Sequence, residues 1–474
     1  MAKPWATFGI DLHLEPAGPG LRRGLTEALR EAVRTGRLAP GTRLPSSRAL
    51  AADLGIARNT VADAYADLVA EGWLTGRQGS GTRVAEGVTS ASFGQWRNAA
   101  SATARTLPPP HRRPAAGPAY SLIPGTPDLS SFPRTQWLTA ARRALAAAPH
   151  DALGYGDPRG RVELRTALAG YLSRARGVRA HPDRIVVCAG LADGLRLLAQ
   201  ALRRRGLGTL AVESYGLDVH RELVEREGLA TTPLPFDADG TVTEGLAAEG
   251  AVLLTPAHQF PMGLALRSDR RASLVDWARS TGGLILEDDY DGEFRYDRRQ
   301  PVGALQVLDP ERVAYLGTAS KSLAPGLRLG WLVLPRPLVE EVTALGGARS
   351  ASAVEQLTLA EFIASGAYDR HLRSARLRYR RRRDALVAAL AERAPEVTVT
   401  GIAAGLHAVL RLPPGTEQSV VRAAAWHGLA VHGLSFHRHP DATGDPLDAL
   451  VIGYGTPPDH AWAGTLDALC AALP

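Results

Sequence analysis

Apolar residues recur every four positions near the start of the chain, at Leu21, Leu25, Leu29 and Val33. This spacing predicts an amphipathic helix. Ser46 can cap a second helix, and Arg58 or Asn59 a third. The buried side of the third helix comprises Val61, Tyr65, Leu68 and Val69. Short β-like segments follow at 73–74 and 82–84. Three helices followed by a hairpin form a winged helix-turn-helix, which we predict for residues 1–86.

The periodic pattern ends after residue 86. From residue 87 to residue 118 the chain is rich in Ala, Ser, Thr, Gly and Pro, with three consecutive prolines at 108–110. This composition predicts a flexible, partly extended linker over residues 87–118.

Short apolar runs alternate with helical patterns through residues 119–474. The runs that we predict to be buried strands are 184–187, 209–212, 251–254, 284–286 and 313–316. Strands that alternate with helices favour an α/β domain with a mostly parallel sheet covered on both faces. A long helix at 368–390 leads to a smaller α+β unit at the carboxyl end, which we place at about 365–474.

Composition narrows the class of protein. The chain has 474 residues and a formal net charge of +7, which fits a polyanionic partner such as DNA. An arginine-rich coding bias explains the same charge, so charge alone decides little. Apolar runs are too short to cross a membrane, the first residues lack a signal-peptide core, and two cysteines offer no disulfide framework. We therefore expect a cytoplasmic protein that does not contact a membrane.

One lysine stands in a small-residue loop after the predicted strand 313–316. Lys321 is flanked by the hydroxyls of Thr318 and Ser320, and Arg328 follows seven positions later (328 − 321). A lysine amine attacks an aldehyde only when it is neutral, and hydroxyls with an arginine suit a phosphate ester. The set predicts a Schiff-base site for pyridoxal 5′-phosphate (PLP). A surface turn is the alternative.

Acidic residues crowd the carboxyl end of the predicted strand 284–286, where open α/β sheets bind ligands. A carboxylate there can pair with the protonated pyridine nitrogen of PLP, a role that we assign to Asp288. We assign a hydrogen bond to the ring oxygen to Tyr290. A solvated acidic loop is the alternative.

The third predicted helix begins with side chains that suit DNA. Arg58, Asn59 and Thr60 can donate to phosphates or contact base edges. Arg77 lies near the tip of the hairpin, where a minor-groove contact is natural. A small protein-binding domain is the alternative.

With these motifs, the chain resembles the fold-type I aminotransferases. It more closely resembles the MocR family of bacterial regulators, in which a GntR-type winged helix precedes an aminotransferase-like domain. The amino-terminal part of the resemblance rests on Gly-Thr-Arg-Leu-Pro-Ser-Ser-Arg at 41–48 and Ala-Arg-Asn-Thr-Val at 57–61. It implies that operator DNA is contacted by Arg43, Ser46, Ser47, Arg48, Arg58, Asn59 and Thr60.

The resemblance also implies further cofactor contacts. Leu191 and Ala192 fall in the phosphate-binding turn, where a helix amino terminus offers free N–H groups. His258 and Gln259 belong to a His-Gln-x-Pro turn typical of the family. Tyr155 would reach the cofactor of a neighbouring subunit, which implies a homodimer.

Three positions depart from an aminotransferase. Phe260 stands where an asparagine usually holds the ring oxygen. The usual stacking aromatic is also absent, so that either Tyr215 stacks on the ring or Leu217 packs there. Val451 replaces the arginine that clamps a substrate carboxylate, a contact that is hard to replace.

Cofactor binding is thus predicted to persist while amino-acid binding is eroded. We expect a transcription regulator that senses PLP and that has at most residual transamination activity. Two alternatives use the cofactor differently. One is a regulator that detects an amine or amino acid through bound PLP, and the other is an active aminotransferase fused to a DNA-binding module. No metal site is predicted, because the histidines near the carboxyl end lack cysteine or carboxylate partners at ligand spacing.

Overall fold

A computed structural model describes residues 20–35, 37–77, 81–85, 118–246, 250–296, 303–346 and 351–474. The chain divides into two compact units, Met1–Ala116 and Gly117–Pro474. The predicted linker, apart from residue 118, lies outside the described residues, as does the side chain of Arg77.

The first unit contains three helices and a hairpin. The helices are α1 (Leu21–Arg34), α2 (Ser47–Leu54) and α3 (Arg58–Ala70), and the antiparallel strands are β1 (Leu74–Arg77) and β2 (Gly81–Val84). Their apolar faces meet in one core, which includes Leu25, Leu29, Leu50, Val61 and Leu68. The predicted winged helix is therefore present in the described residues.

Of the two helix caps predicted for this unit, the structure contains one. Ser46 caps α2, because its Oγ accepts the backbone N–H of Ala49 at 3.2 Å. The predicted cap of α3 by Arg58 or Asn59 is wrong. Ala57 occupies the cap position without a side-chain hydrogen bond. Arg58 and Asn59 are instead the first helical residues, and both side chains are exposed.

The second unit is built on a seven-stranded sheet with the order β4-β12-β11-β10-β9-β5-β6. All neighbours are parallel except β12, which runs antiparallel to β11 and β4. The strands of this unit, in chain order, are β3 (Tyr120–Ser121), β4 (Ile185–Cys188), β5 (Thr209–Glu213), β6 (Ala230–Leu234), β7 (Phe236–Asp237), β8 (Gly240–Thr241), β9 (Ala251–Leu254), β10 (Leu284–Asp288), β11 (Val313–Thr318), β12 (Gly330–Val333), β13 (Thr398–Thr400), β14 (Ala408–Arg411), β15 (Leu429–Ala430), β16 (His432–Gly433) and β17 (Ala449–Ile452).

Helices cover both faces of this sheet, which explains why its central strands are apolar along their whole length. Every residue of β10 and β11 is buried. The helices are α4 (Arg134–Ala147), α5 (Val162–Arg176), α6 (Leu191–Arg204), α7 (Asp218–Arg226), α8 (Ser268–Thr281), α9 (Arg336–Ala344), α10 (Ala353–Ala364), α11 (Ala367–Arg393), α12 (Glu417–Trp426) and α13 (Trp462–Ala472).

A smaller antiparallel sheet with the order β13-β14-β17-β16 follows the long helix α11. That helix buries tyrosine and leucine side chains at helical spacing, namely Tyr368, Leu372, Tyr379, Leu386 and Leu390. The α+β character predicted for the carboxyl end is present. Among the described helices, none combines the length and the apolar character that a membrane crossing requires.

Candidate functional site

The loop between β11 and β12 carries Lys321 and is held by its own polar groups. Thr318 Oγ1 donates to Ser320 Oγ at 2.9 Å and accepts the Ser320 N–H at 3.1 Å. The Ala319 N–H donates to the Leu329 carbonyl at 3.0 Å. Because both ends of the loop are fixed to neighbouring strands, the position of Lys321 is set by the sheet.

Lys321 points into the interior of the domain. Its Nζ donates to the carbonyl oxygen of Gly125, in the segment that follows the predicted linker. Burial lowers the pKa of Lys321, although Asp288 and Asp291 oppose this shift. A lowered pKa increases the neutral fraction of the amine, which is the form that condenses with an aldehyde.

Three consecutive acids end β10, and the alternation of the strand separates them. Glu287 accepts the backbone N–H groups of Leu305 at 2.6 Å and Gln306 at 2.9 Å. Asp289 forms a buried bidentate ion pair with Arg176, with N–O distances of 2.6 and 3.0 Å. Asp288 points to the opposite side.

Asp288 is the acid that faces a cavity. It is 3% exposed, and its Oδ1 has no hydrogen-bond partner among the described residues. Burial raises the pKa of Asp288 well above its usual value, although Lys321 lowers it. A buried carboxylate without a partner is costly, so this side chain is suited to a cationic ligand.

The cavity has a volume of about 270 Å³, near the lower end of the range for small-molecule sites. It brings together most of the residues predicted to bind the cofactor. Those that line it are Leu191, Ala192, Asp288, Tyr290, Thr318, Ser320, Lys321 and Arg328.

One side of the cavity is suited to a phosphate. Helix α6 begins at Leu191, after Gly190 with a φ of 89°. A Cβ on Gly190 would lie 3.4 Å from Arg328 Nη1, so the guanidinium lies against this helix end. Arg328 itself has a φ of 53°, a costly conformation for a residue with a side chain. The free N–H groups at the start of α6 and the arginine are both suited to an anion.

Other predicted cofactor residues do not line the cavity. Tyr215 is buried elsewhere: its ring packs edge-to-face on Phe236 with centroids 5.9 Å apart, and its backbone pairs with Arg438. Leu217 lines the cavity in its place, so the prediction that Tyr215 stacks on the ring is wrong.

Gln259 and His258 lie behind the cavity wall. The Gln259 side chain donates to Thr241 Oγ1, which fixes the turn rather than a ligand. His258 is 2% exposed and contacts Tyr290 and Asp291. Tyr155 is fully exposed on this protomer, and its contact with a partner subunit stays a prediction.

Several cavity residues were not predicted from the sequence. His220 Nδ1 lies 3.9 Å from Asp288 Oδ2. Burial and the nearby Lys321 lower the pKa of His220 to about 4, so this imidazole is neutral near pH 7. The only sequence signal for it was its place in the first turn of the helix after β5. Other lining residues that were not predicted are Gly125, Thr126, Glu213, Arg221, Asp291, Leu406 and His407.

The structure also places His258, Asp291 and His407 together, with candidate ligand atoms within 4.8 Å of one another. Sequence reasoning considered a metal only for the histidines near the carboxyl end and missed this group, because its members are distant in the chain.

The arrangement fits PLP at three points. Asp288 offers a carboxylate whose Oδ1 has no hydrogen-bond partner among the described residues, which suits a pyridinium. The start of α6 and Arg328 offer donors for a phosphate, and Lys321 offers a partly buried amine for an aldehyde. When bound, PLP supplies an electrophilic aldehyde that condenses with a lysine amine.

The first unit presents a different surface. Three arginines of α1 form ion pairs with carboxylates: Arg22 with Asp67 at 2.5 Å, Arg30 with Glu71 at 2.7 Å and Arg34 with Glu31 at 2.7 Å. Among the described residues, no carboxylate lies within ion-pair distance of Arg43, Arg48 or Arg58. All three are exposed around the start of α2, the start of α3 and the hairpin. These cations are available to phosphates.

The other predicted DNA contacts lie on the same part of this unit. Asn59 is exposed beside Arg58, and Ser47 and Thr60 are partly exposed in the first turns of their helices. Ser46 is exposed while it caps α2. The backbone of Arg43 forms a β-bridge with Arg83 of β2, and this bridge joins the segment that precedes α2 to the hairpin.

Comparisons with known proteins agree with both parts. Residues 21–84 match the bacterial regulatory proteins of the gntR family, and residues 125–437 match aminotransferase class I and II. The chain is 34% identical over 451 residues to the HTH-type pyridoxine biosynthesis transcriptional regulator PdxR of Corynebacterium glutamicum, covering 94% of this chain and 95% of the relative. It is 33% identical over 455 residues to the probable rhizopine catabolism regulatory protein MocR of Rhizobium meliloti, covering 92% and 90%.

Among solved structures, an archaeal alanine:glyoxylate aminotransferase superposes with a TM-score of 0.66 at 24% identity. The match covers 81% of this chain and 95% of that chain, and it bears on the fold alone. The predicted fold class and the PLP cofactor are confirmed by these matches. The chain belongs to the MocR family of bacterial transcription regulators, in which a GntR-type DNA-binding domain is joined to an aminotransferase-like domain of the PLP-binding type.

Proposed function

We propose that this regulator senses PLP itself, through a covalent bond between Lys321 and the cofactor. The observation that carries the proposal is that the cofactor contacts persist in a cavity that has lost the substrate clamp. Asp288, Lys321 and Arg328 face the cavity. Val451, which stands where the clamping arginine is expected, is fully buried in β17 and packs on Val409.

Loss of the clamp favours binding over turnover. Transamination requires a substrate held at two ends, so that the bond to be broken is aligned with the cofactor ring. Without an arginine in β17, an α-amino acid is held chiefly through its amine. We therefore propose that the domain turns over little or no amino acid, while its PLP contacts remain available for regulation.

The contact between Lys321 and Gly125 supports a route to the DNA-binding domain. Gly125 follows the end of the predicted linker, residue 118, by seven positions (125 − 118). Its segment is fixed by hydrogen bonds from Gly453 to Leu122 at 2.7 Å and from Thr456 to Thr126 at 2.9 Å. When Lys321 bonds to PLP, it must give up its hydrogen bond to the Gly125 carbonyl. Gly125 belongs to the segment that follows the linker, so cofactor binding changes a contact of that segment.

PLP can change the affinity for DNA only if it binds with unequal affinity to two conformational states of the protein that differ in DNA binding. We further propose that the aminotransferase-like domain forms a homodimer, with Tyr155 contacting the partner's cofactor. A dimer presents two winged helices to two half-sites of an operator.

A second candidate function, detection of an amine through bound PLP, is favoured by Arg221. This arginine lines the cavity from the first turn of α7, and no carboxylate among the described residues lies within ion-pair distance of it. Its Nη1 donates only a long bond, 3.4 Å, to the His437 carbonyl. Such a guanidinium is available to an anionic group on an amine ligand.

The covalent bond to Lys321 can be tested by reduction with borohydride. The sequence contains two lysines, Lys3 and Lys321. Protein that is incubated with PLP and reduced should carry one adduct, located at residue 321 by peptide mass spectrometry. Lys321→Ala should lose the adduct and the associated absorbance, whereas the matched control Lys3→Ala should retain both. An adduct that persists in Lys321→Ala would remove the basis of the proposal.

DNA recognition can be tested at the start of α3. Arg58→Ala and Asn59→Ala should each weaken specific binding by about 1–3 kcal/mol for every base contact removed. Arg43→Ala should weaken binding to all sequences alike and reduce the salt dependence. Arg34→Ala, whose native side chain is paired with Glu31, is the control and should change neither. Unchanged operator discrimination in Arg58→Ala would show that the recognition surface lies elsewhere.

The role of Arg221 can be tested with two amines of similar size, 3-aminopropanoate and propylamine. If Arg221 binds the carboxylate, PLP-loaded protein should respond spectrally to 3-aminopropanoate at a roughly tenfold lower concentration, and Arg221→Gln should abolish the difference. Arg226→Gln changes an exposed arginine of the same helix and should leave it intact. Equal responses to both amines in the native protein would exclude this role of Arg221, and the absence of a response to either amine would contradict the second candidate.

A further inference from the structure

The ring-oxygen side of the cavity lacks one hydrogen-bond donor. Phe260 stands where aminotransferases place an asparagine, and its phenyl ring lines the cavity. This ring packs edge-to-face on Tyr290, with centroids 6.0 Å apart. A phenyl group donates no hydrogen bond, so Tyr290 must supply the contact to the ring oxygen alone.

Two buried side chains lie behind the Tyr290 hydroxyl. His258 Nδ1 lies 2.9 Å from Asp291 Oδ2 and 3.2 Å from the Tyr290 hydroxyl oxygen. The side chains of His258 and Asp291 are 2% and 1% exposed. The hydroxyl, the imidazole nitrogen and the carboxylate thus form a short chain that ends at the cavity.

The carboxylate fixes which nitrogen of the imidazole carries the proton. An ionised Asp291 can only accept, so Nδ1 of His258 must donate to it. The same N–H faces the Tyr290 oxygen, which therefore accepts on this side. The Tyr290 proton then has two acceptors within reach, namely the nearby Asp291 carboxylate and an oxygen of a ligand in the cavity.

Neighbouring residues restrict the positions of the His258 and Asp291 side chains. Gly405, with a φ of 71°, leaves no room for a Cβ, which would overlap His258 and Asp291. The His407 ring packs on His258 at a tilt of 36°, with ring centroids 4.8 Å apart. Burial opposes a charge on Asp291, but His258, with His407 and Arg295 nearby, outweighs it and lowers the pKa of this carboxyl.

We propose that His258 and Asp291 are positioning residues that fix the Tyr290 hydroxyl as the donor to the ring oxygen of PLP, in place of the absent asparagine. This inference rests on the proposed binding of PLP at Lys321. It gives a role to the His-Gln-Phe-Pro turn, whose histidine lies outside the cavity.

A metal is a weaker explanation of the same residues. His258 Nδ1 already donates to Asp291, and His407 Nε2 lies 2.9 Å from the Pro261 carbonyl oxygen. These contacts account for one nitrogen of each imidazole and for the Asp291 carboxylate without a metal.

The test is a pH titration of the absorbance of bound PLP. When the Schiff base is deprotonated, the ring oxygen carries a negative charge, so a hydrogen-bond donor to that oxygen favours the deprotonated form. The midpoint is the pH at which half of the Schiff base is deprotonated. Loss of the donor should therefore raise the midpoint. Asp291→Asn allows His258 Nδ1 to accept the Tyr290 proton, and the midpoint should shift upward through this effect by about one pH unit.

Asp291→Asn also removes a charge, which by itself lowers the midpoint, so the comparison is a double-mutant cycle. The substitution is made in the native protein and in Tyr290→Phe. If Asp291 acts through the hydroxyl, its substitution should raise the midpoint by about one pH unit more with Tyr290 present than with Tyr290→Phe. The other ionisable side chains that face Tyr290 or His258 stay constant in all variants, namely Glu213, Asp288, His407 and Lys321.

Equal shifts in the two backgrounds would overturn the proposal, as would a midpoint that responds to a chelator. His258→Phe provides an uncharged second variant, with an upward shift expected only when Tyr290 is present. The borohydride adduct at Lys321 is measured in every variant. Its presence without coupling contradicts only the positioning role, whereas its absence from the native protein contradicts the proposed function.

Discussion

The constraint on which the site depends is a buried carboxylate with one oxygen that has no hydrogen-bond partner in the part of the chain that the structure describes. Asp288 lies at the end of a fully buried strand, where a charge is costly unless a ligand or a cation compensates it. The strand isolates this acid, since Glu287 and Asp289 turn to the other face and are satisfied by backbone N–H groups and by Arg176. The scaffold thus neutralises two acids and leaves one for a cationic ligand.

The same constraint accounts for the state of the lysine. Lys321 is held in the loop that follows the adjacent strand β11, and the burial that raises the pKa of Asp288 lowers that of Lys321. A domain that keeps this pair while a valine takes the place of the clamping arginine retains cofactor chemistry without a firm hold on an amino acid. That combination suits a regulator better than an enzyme, and it fits a chain that also carries a DNA-binding domain.

Much of this was predictable from local sequence. The strand that precedes Lys321 and the strand that precedes Asp288 are uninterrupted apolar runs, so their ends could be placed to within a few residues. The side chains that a turn directs into the cavity were harder to predict than the strands. Whether Tyr215 or Leu217 faced the cavity depended on a backbone pairing with Arg438, more than two hundred residues away.

The unpredicted residues share one property: their roles arise from contacts between distant segments. His220 acquires a role only when β5 and β10 lie in one sheet, and His407 only when the smaller sheet packs beside the turn at His258. The predicted cap of α3 is wrong for a different reason: Asn59, whose side chain suits a cap, lies two positions after the cap residue Ala57, and the Arg58 guanidinium has no acceptor for a backbone N–H.

The account is tested most directly by the affinity of the full-length protein for its operator, measured with and without PLP at fixed salt. PLP sensing predicts that the two dissociation constants differ by about fivefold or more and that Lys321→Ala abolishes the difference. Equal affinities in the two states, with the covalent adduct demonstrated, would contradict it.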